Sequence, residues 1–372
     1  MFELDKFDHY LTDDGPAALV IREHLMPVEG ADGVLFPATF AAGDGFPGGY
    51  NINTFGDEKG GKNVCLIDSV GSQANRLEPL FMQAKYQHLV PQIVVKAGDH
   101  EVNILEAGHR AGDALLRCSQ LQQQLQDAFK AVLAGDAEPL ARIAPTSLVF
   151  GVWDSRDTQA KLPRLVSSTI RAFDVRRLTR GAVYIPPADY AEMEVFSEEE
   201  KAKAEGNNKS PLAQRGFVHN PASGSHGGVI ADGGVRRDAT LGLGAVRLLH
   251  AGRDEPKTLV LRRYILGLSL VTFTSKPESY LRQGCMLVVA PDQPRECVEV
   301  YPNGKRSPCE ITHDTALAYA TGAVKAFGVG ESRTVMFEKE RAKRDVKADG
   351  DKKAKTNRGK KNDAATDETE VD

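Results

Sequence analysis

The sequence predicts an α+β fold. Short runs rich in β-branched residues, such as AALVIREHLM at 17–26 and VCLIDS at 64–69, are interspersed with segments whose apolar residues recur every three or four positions, as at 113–133. Glycine- and proline-rich breaks separate these runs. With 372 residues, 41% of them hydrophobic and 26% charged, the chain can bury a sizeable core in one large domain with insertions or in two domains.

Residues 17–26 alternate loosely and read as a first strand. The run 38–62 holds too much glycine and proline for regular structure and is expected to be a long, mobile loop. VCLIDS (64–69) reads as a short buried strand or the lead-in to a helix. Leu77, Leu80 and Phe81 then fall at helical spacing, behind a cap near 69–73. Residues 113–133 form an expected amphipathic helix with Leu115, Leu116, Leu121, Leu125, Phe129 and Val132 on one side, ended by Gly135.

TSLVFGVWD (146–154) reads as a strand, RLVSSTIRAFDVRRL (164–178) has mixed periodicity, and GAVYIPP (181–187) reads as a strand closed by two prolines. The acidic, lysine-rich run from 188 to 214 suits an exposed linker or a solvated helix and is expected to be mobile. Residues 238–251 read as a helix with an Asp/Thr start, and 258–274 and 285–291 as strands because of their β-branched content. The domain is expected to run from 1 to 337. The Lys/Asp/Glu/Ala mixture at 338–372 has no apolar periodicity and is expected to be a disordered charged tail.

The net charge of −4 argues at first against a nucleic-acid partner, but the charge is unevenly spread. Acids gather at the N-terminus, around 192–200 and in the last ten residues, whereas 156–180 and 215–247 hold many arginines and few acids. The five cysteines are odd in number and never two residues apart, which points to neither a disulfide framework nor a zinc knuckle, and to a reducing cytoplasm. The chain begins with no basic start followed by an apolar run and has no run of about 18 apolar residues, so neither export nor a membrane span is expected.

GDEKGGK (56–62) has the glycine and lysine spacing of a phosphate-cradling P-loop. Asn63 stands where Ser or Thr should hold magnesium, however, and no strand–loop–helix context surrounds it. His219 and His226 lie seven residues apart in a Gly/Ser/Pro loop with no carboxylate or cysteine to complete a metal site. No metal, cofactor or catalytic constellation is expected.

Three segments instead carry a composition suited to ribose and phosphate. Ser72, Gln73, Asn75 and Arg76 crowd donors onto the start of a helix. Lys161, Arg164 and Arg171 stand with the hydroxyls of Ser167 and Ser168. Arg215, Arg236 and Arg237 flank glycines 227, 228, 233 and 234, with His219 and His226 in the same loop. A capping box or solvated arginines would account for each segment alone. The nearest aromatics are Phe173, Tyr184 and Phe217, so recognition is expected through backbone and shape rather than an aromatic stacking platform.

Together LIDSVGSQANRLEPLF, FGVWDSRDTQAKLPRLVSSTIRAFDV and SPLAQRGFVHNPASGSHGGVIADGGVRRDATL resemble, in order, the backbone subunit of type I-G (formerly I-U) CRISPR effector (Cascade) complexes, a RAMP-superfamily family. The resemblance implies a modified RNA-recognition-motif (ferredoxin-like) palm with large insertions forming thumb and finger regions. It implies a non-catalytic subunit that polymerises along guide RNA and presents it to target DNA. The implied partners are guide RNA, target DNA, further copies of itself, the large subunit and the repeat-end-binding subunit. The alternatives are a metal-independent RNA-processing endonuclease using His219 or His226, and a nucleotide-binding protein using Lys62.

Overall fold

Alternation in the first strand sets the two faces of the molecule. In β1 (Ala18–Pro27) Leu19, Ile21, Glu23 and Leu25 are buried while Arg22 is exposed, as in a strand covered on one side only. The computed structural model describes residues 4–55, 61–221, 224 and 226–347.

β1 joins an antiparallel sheet with β2 (Ile52–Thr54), β3 (Asn63–Asp68), β4 (Val166–Phe173), β5 (Val235–Gly242), β6 (Tyr280–Arg282), β7 (Cys285–Val289), β8 (Glu296–Val300) and β9 (Arg306–Pro308). The spatial order is β6-β7-β1-β5-β4-β3-β2, and β8, carrying β9, shares the same edge of β1 with β7. β8 pairs with residues 18–22 of β1 and β7 with 25–27. On the other side Glu23 lies opposite Arg237 of β5, and Arg237 opposite Ile170 of β4.

Helices cover one face: α1 (Val70–Leu77), α2 (Gln122–Leu133), α3 (Glu138–Ile143), α4 (Pro145–Phe150), α5 (Glu255–Thr274) and α6 (His313–Phe327). The core joins Leu19, Ile21, Ala239 and Leu241 from the sheet to α5 and α6, and a second apolar cluster gathers Leu25, Cys65, Ile67, Ile170, Val235 and Leu287.

The expected strand over 258–274 is helix α5, and the correction has a physical cause. From Tyr264 to Thr274 every residue is buried, so this half of the helix has no periodic contrast to read. The hydroxyls of Ser269 and Thr272 hydrogen-bond their own helix, Ser269 Oγ to Ile265 O at 2.7 Å and Thr272 Oγ1 to Leu268 O at 2.9 Å. Gly267 lets α6 cross closely, since a Cβ there would stand 2.9 Å from Ala320 Cα.

Three other expectations change. Residues 146–150 belong to α4, begun by Pro145, and only Val152–Trp153 is extended. The helix expected over 238–251 is β5 as far as Gly242, followed by a short helix, Leu243–Arg247. The helix over 113–133 is broken into Ala114–Arg117 and α2, while strands are found at Cys285–Val289 and Val183–Tyr184, within the runs expected to form them. The loop at 38–62 holds β2 and a pairing of Thr39–Phe40 with Gly49–Tyr50. Residues 56–60 of the P-loop-like run lie outside the described residues.

Between β4 and β5 the chain leaves the sheet as an antiparallel ribbon. Val175–Arg177 pairs with Val229–Ala231, and further out Val183–Tyr184 pairs with Asn220–Pro221. The chain between these outer strands carries helices Glu198–Ala204 and Pro211–Gln214, where a linker or solvated helix was expected. At the ribbon's base Asp174 adopts φ 48°, and the Asn63 side chain clasps Val175, donating to its carbonyl at 3.1 Å and accepting from its amide at 2.8 Å.

The expected disordered tail begins as a helix over 339–347, where Arg341 donates to Ser119 O at 2.8 Å and Asp345 pairs with Arg117 at 2.6 Å. The rest of that segment lies outside the described residues. Among the described residues no helix is long and apolar enough to cross a membrane.

Candidate nucleic-acid interface

The strand register sorts the predicted contact residues onto two faces. Ser167, Arg171 and Arg236 share the uncovered face with Arg22, His24 and Phe173, because Arg236 lies opposite both His24 and Arg171. Arg236 stacks its guanidinium over the Phe173 ring at 4.7 Å and bonds Asp238 at 3.0 Å. Arg22 approaches the same Asp238 at 3.6 Å and Glu296 at 3.8 Å. Arg171 donates to Thr169 Oγ1 at 2.7 Å and has no carboxylate partner among the described residues. The face therefore presents three arginines against two carboxylates, a polar surface able to meet phosphates.

Ser168, Gln73 and Arg237 point the other way, into the covered side. Arg237 is 2% exposed and bonds Glu23 at 2.8 Å, and burial pulls its guanidinium below the usual range although Glu23 opposes the shift. The carboxylate of Asp68, with none of its side chain exposed, collects Ser72 Oγ at 2.8 Å, Gln73 Nε2 at 2.7 Å, Arg76 Nε at 3.2 Å and Arg282 Nη2 at 2.9 Å. Ser168 Oγ completes the chain by donating to Gln73 Oε1 at 2.9 Å. The donors that the sequence places at the start of α1 thus converge on a carboxylate of the same chain. They need no external anion to satisfy them.

A third group surrounds a cleft of about 620 Å³ beside α4, where Lys161 and Arg164 lie with His109, Arg110, Arg117 and Trp153. Lys161 pairs in register with Trp153, and its ammonium sits 5.4 Å from the indole ring. Arg164 donates to Phe150 O at 3.0 Å, and burial, then the charge of Arg110, lowers its pKa. Gly151, at φ 76°, permits this packing: a Cβ would stand 2.9 Å from both Arg164 Cγ and Leu162 O. Asn75 supports the wall by accepting from Arg110 Nη2 at 3.3 Å, and Arg110 pairs with buried Glu78 at 2.6 Å. The residues lining the cleft include no Asp or Glu. The sequence reading passed over Trp153, the one tryptophan of the chain, which stands 57% exposed at this cleft.

The ribbon carries the remaining predicted residues, which do not join the sheet face. Arg215 is exposed beyond Pro211–Gln214, and His219 is half-buried nearby. His226 packs its ring edge-on against Tyr50 at 5.1 Å, and its Nε2 is buried without a partner among the described residues. Among the described residues no three His, Cys, Asp or Glu side chains converge as a metal site would require, and all five cysteines are free thiols.

No curated protein matches the chain. Residues 19–177, from β1 through β4 and the base of the ribbon, match the family model described as CRISPR-associated protein GSU0053, which indicates a CRISPR-associated protein.

Proposed function

We propose that this chain is a non-catalytic guide-RNA-binding subunit of a CRISPR effector complex, the backbone subunit of a type I-G assembly. Several copies would lie along one guide RNA and hold it for pairing with target DNA. The observation that carries this reading is the union of strand order and open face. The succession of β8 or β7, β1, β5 and β4, with helices between β3 and β4 and between β5 and β7, fits a split βαβ palm carrying insertions. In this reading the helices close one face, Arg22, Arg171 and Arg236 lie on the other, and the ribbon between β4 and β5 is the thumb.

The CRISPR-associated match over 19–177 supports the cellular role. Contact through arginines on a sheet face and through backbone groups suits a subunit that must accept any guide sequence. Of the two histidines that an RNA-processing alternative would use as acid or base, His226 has its ring seated against Tyr50 at 5.1 Å, while His219 is half-buried in the ribbon.

The test is to express the full chain with its CRISPR array and neighbouring subunits and to identify the nucleic acid that co-purifies at moderate salt. Recovery of uncut guide-length RNA in a multi-copy particle is expected. Cleavage of added repeat RNA by the purified chain, or an RNA-free monomer, would overturn the reading.

A further inference from the structure

The cleft beside α4 is separate from the open sheet face and is built differently. Its lining offers cations and one large aromatic surface, with no acid among the lining residues. Two of its cations are already matched, Arg110 by Glu78 and Arg117 by Asp345, each at 2.6 Å. Lys161 and Arg164 form no ion pair among the described residues. The Lys161 ammonium lies 5.4 Å from the Trp153 ring, so a positive charge stands beside an indole that is 57% exposed.

The exposed indole offers a flat aromatic surface beside a cation, on which a planar ligand can stack. The wall behind it is rigid. Gly151 is the residue whose missing Cβ lets Arg164 pack on the backbone, and Arg110 at the back holds φ 54°, a strained conformation for a long side chain. Such pre-organisation suits a ligand that is planar on one side and anionic on the other.

We propose that this cleft is a stacking subsite for an unpaired base of a single-stranded nucleic acid, with Trp153 against the base and Lys161 and Arg164 on the flanking phosphates. The assignment rests on the reading of the chain as a nucleic-acid-binding subunit and adds a base-contacting position to it. It makes part of the recognition depend on the presence of a base rather than on its identity.

The chain has a single tryptophan, so fluorescence excited at the red edge, where its nine tyrosines do not absorb, reports this cleft. The full-length protein is titrated with a 12-nucleotide oligo(U), the same length of oligo(dT), and an abasic ribose-phosphate strand, following Trp153 emission and, separately, the anisotropy of end-labelled strands. Quenching by the base-bearing strands and none by the abasic strand is expected, together with roughly 10-fold weaker binding of the abasic strand. The tighter-bound of the two base-bearing strands names guide RNA or target DNA as the occupant. In the anisotropy titrations Trp153→Leu should remove the preference for base-bearing over abasic strands, and Trp153→Phe should restore most of it. Binding seen by anisotropy with unchanged emission, or equal quenching by the abasic strand, would overturn the stacking subsite and leave the RNA-binding reading standing. Absence of binding by every strand would overturn both.

Discussion

The open sheet face makes a quantitative statement about salt. A single strand releases counterions so that log K falls with log salt by about 0.7 for each phosphate contact. Between 50 and 200 mM salt, each lost contact therefore removes about a 2.6-fold decline in affinity. Among the described residues Arg171 bonds Thr169 Oγ1, at 2.7 Å, and meets no carboxylate, so its charge is available to a phosphate. Arg236 bonds Asp238 at 3.0 Å while Arg22 approaches the same carboxylate at 3.6 Å, so its charge is already partly spent. Arg171→Ala should lower the slope by about 0.7 and Arg236→Ala by clearly less, whereas Asp238→Asn should steepen it. Anisotropy titrations of an unstructured RNA at four salt concentrations give the slopes. Equal losses for the two arginines, or a slope that none of the three changes moves, would refute the assignment of this face.

The buried groups predict effects on stability instead. Asp68→Ala takes the shared carboxylate from Arg76, Arg282, Ser72 and Gln73 and should cost about 3 kcal/mol in urea denaturation, since removing one partner of a buried network leaves the others unmatched. A loss below about 1 kcal/mol would contradict its role as the collector of those donors. Arg237→Met should destabilise by leaving buried Glu23 with Arg295, at 4.0 Å, as its remaining cation among the described residues, while Glu23→Met combined with Arg237→Met should recover most of the loss; a double variant as unstable as the single one would show that the pair does more than neutralise itself. Burial, with Lys85 adding to it, holds the His313 imidazole below its ordinary 6.5, between Tyr86 Oη at 2.8 Å and Thr274 Oγ1 at 3.0 Å. The unfolded chain therefore takes up the proton that the folded one refuses, so stability is full above pH 6.5 and declines as pH falls through it. His313→Gln should flatten that decline, and an unchanged pH profile would argue against a neutral, buried imidazole.

Which elements could be read from the residues depends on where contrast survives. β1 and β3 were legible because exposed Arg22 and half-buried Leu66 alternate with buried apolar neighbours. The second half of β5 was read into the helix expected over 238–251, because inward-facing Arg237 just before it hides the strand's alternation. That inversion is compensated by Glu23, 214 positions away, and no local window can see it. α5 lacked contrast from Tyr264 onward, where it is buried on every side. The contact segments were legible as composition but not as orientation. Ser167 and Ser168 are neighbours in sequence, yet the strand sends one to the open face and the other to Gln73. Trp153 carried no local signal, since exposure of an aromatic is decided by the walls that fail to cover it.

The clasp at Asn63 has a mechanical consequence. One side-chain amide imitates a missing strand partner for Val175, and the Asp174 carboxylate accepts the Asn63 amide in turn at 3.3 Å. The angle at which the whole arm departs is thus fixed by two residues at its root. Whatever the outer part of the arm carries, its direction of departure is therefore held by hydrogen bonds at its base. In the proposed multi-copy assembly such a hinge would let each copy present its arm to the next at the same angle.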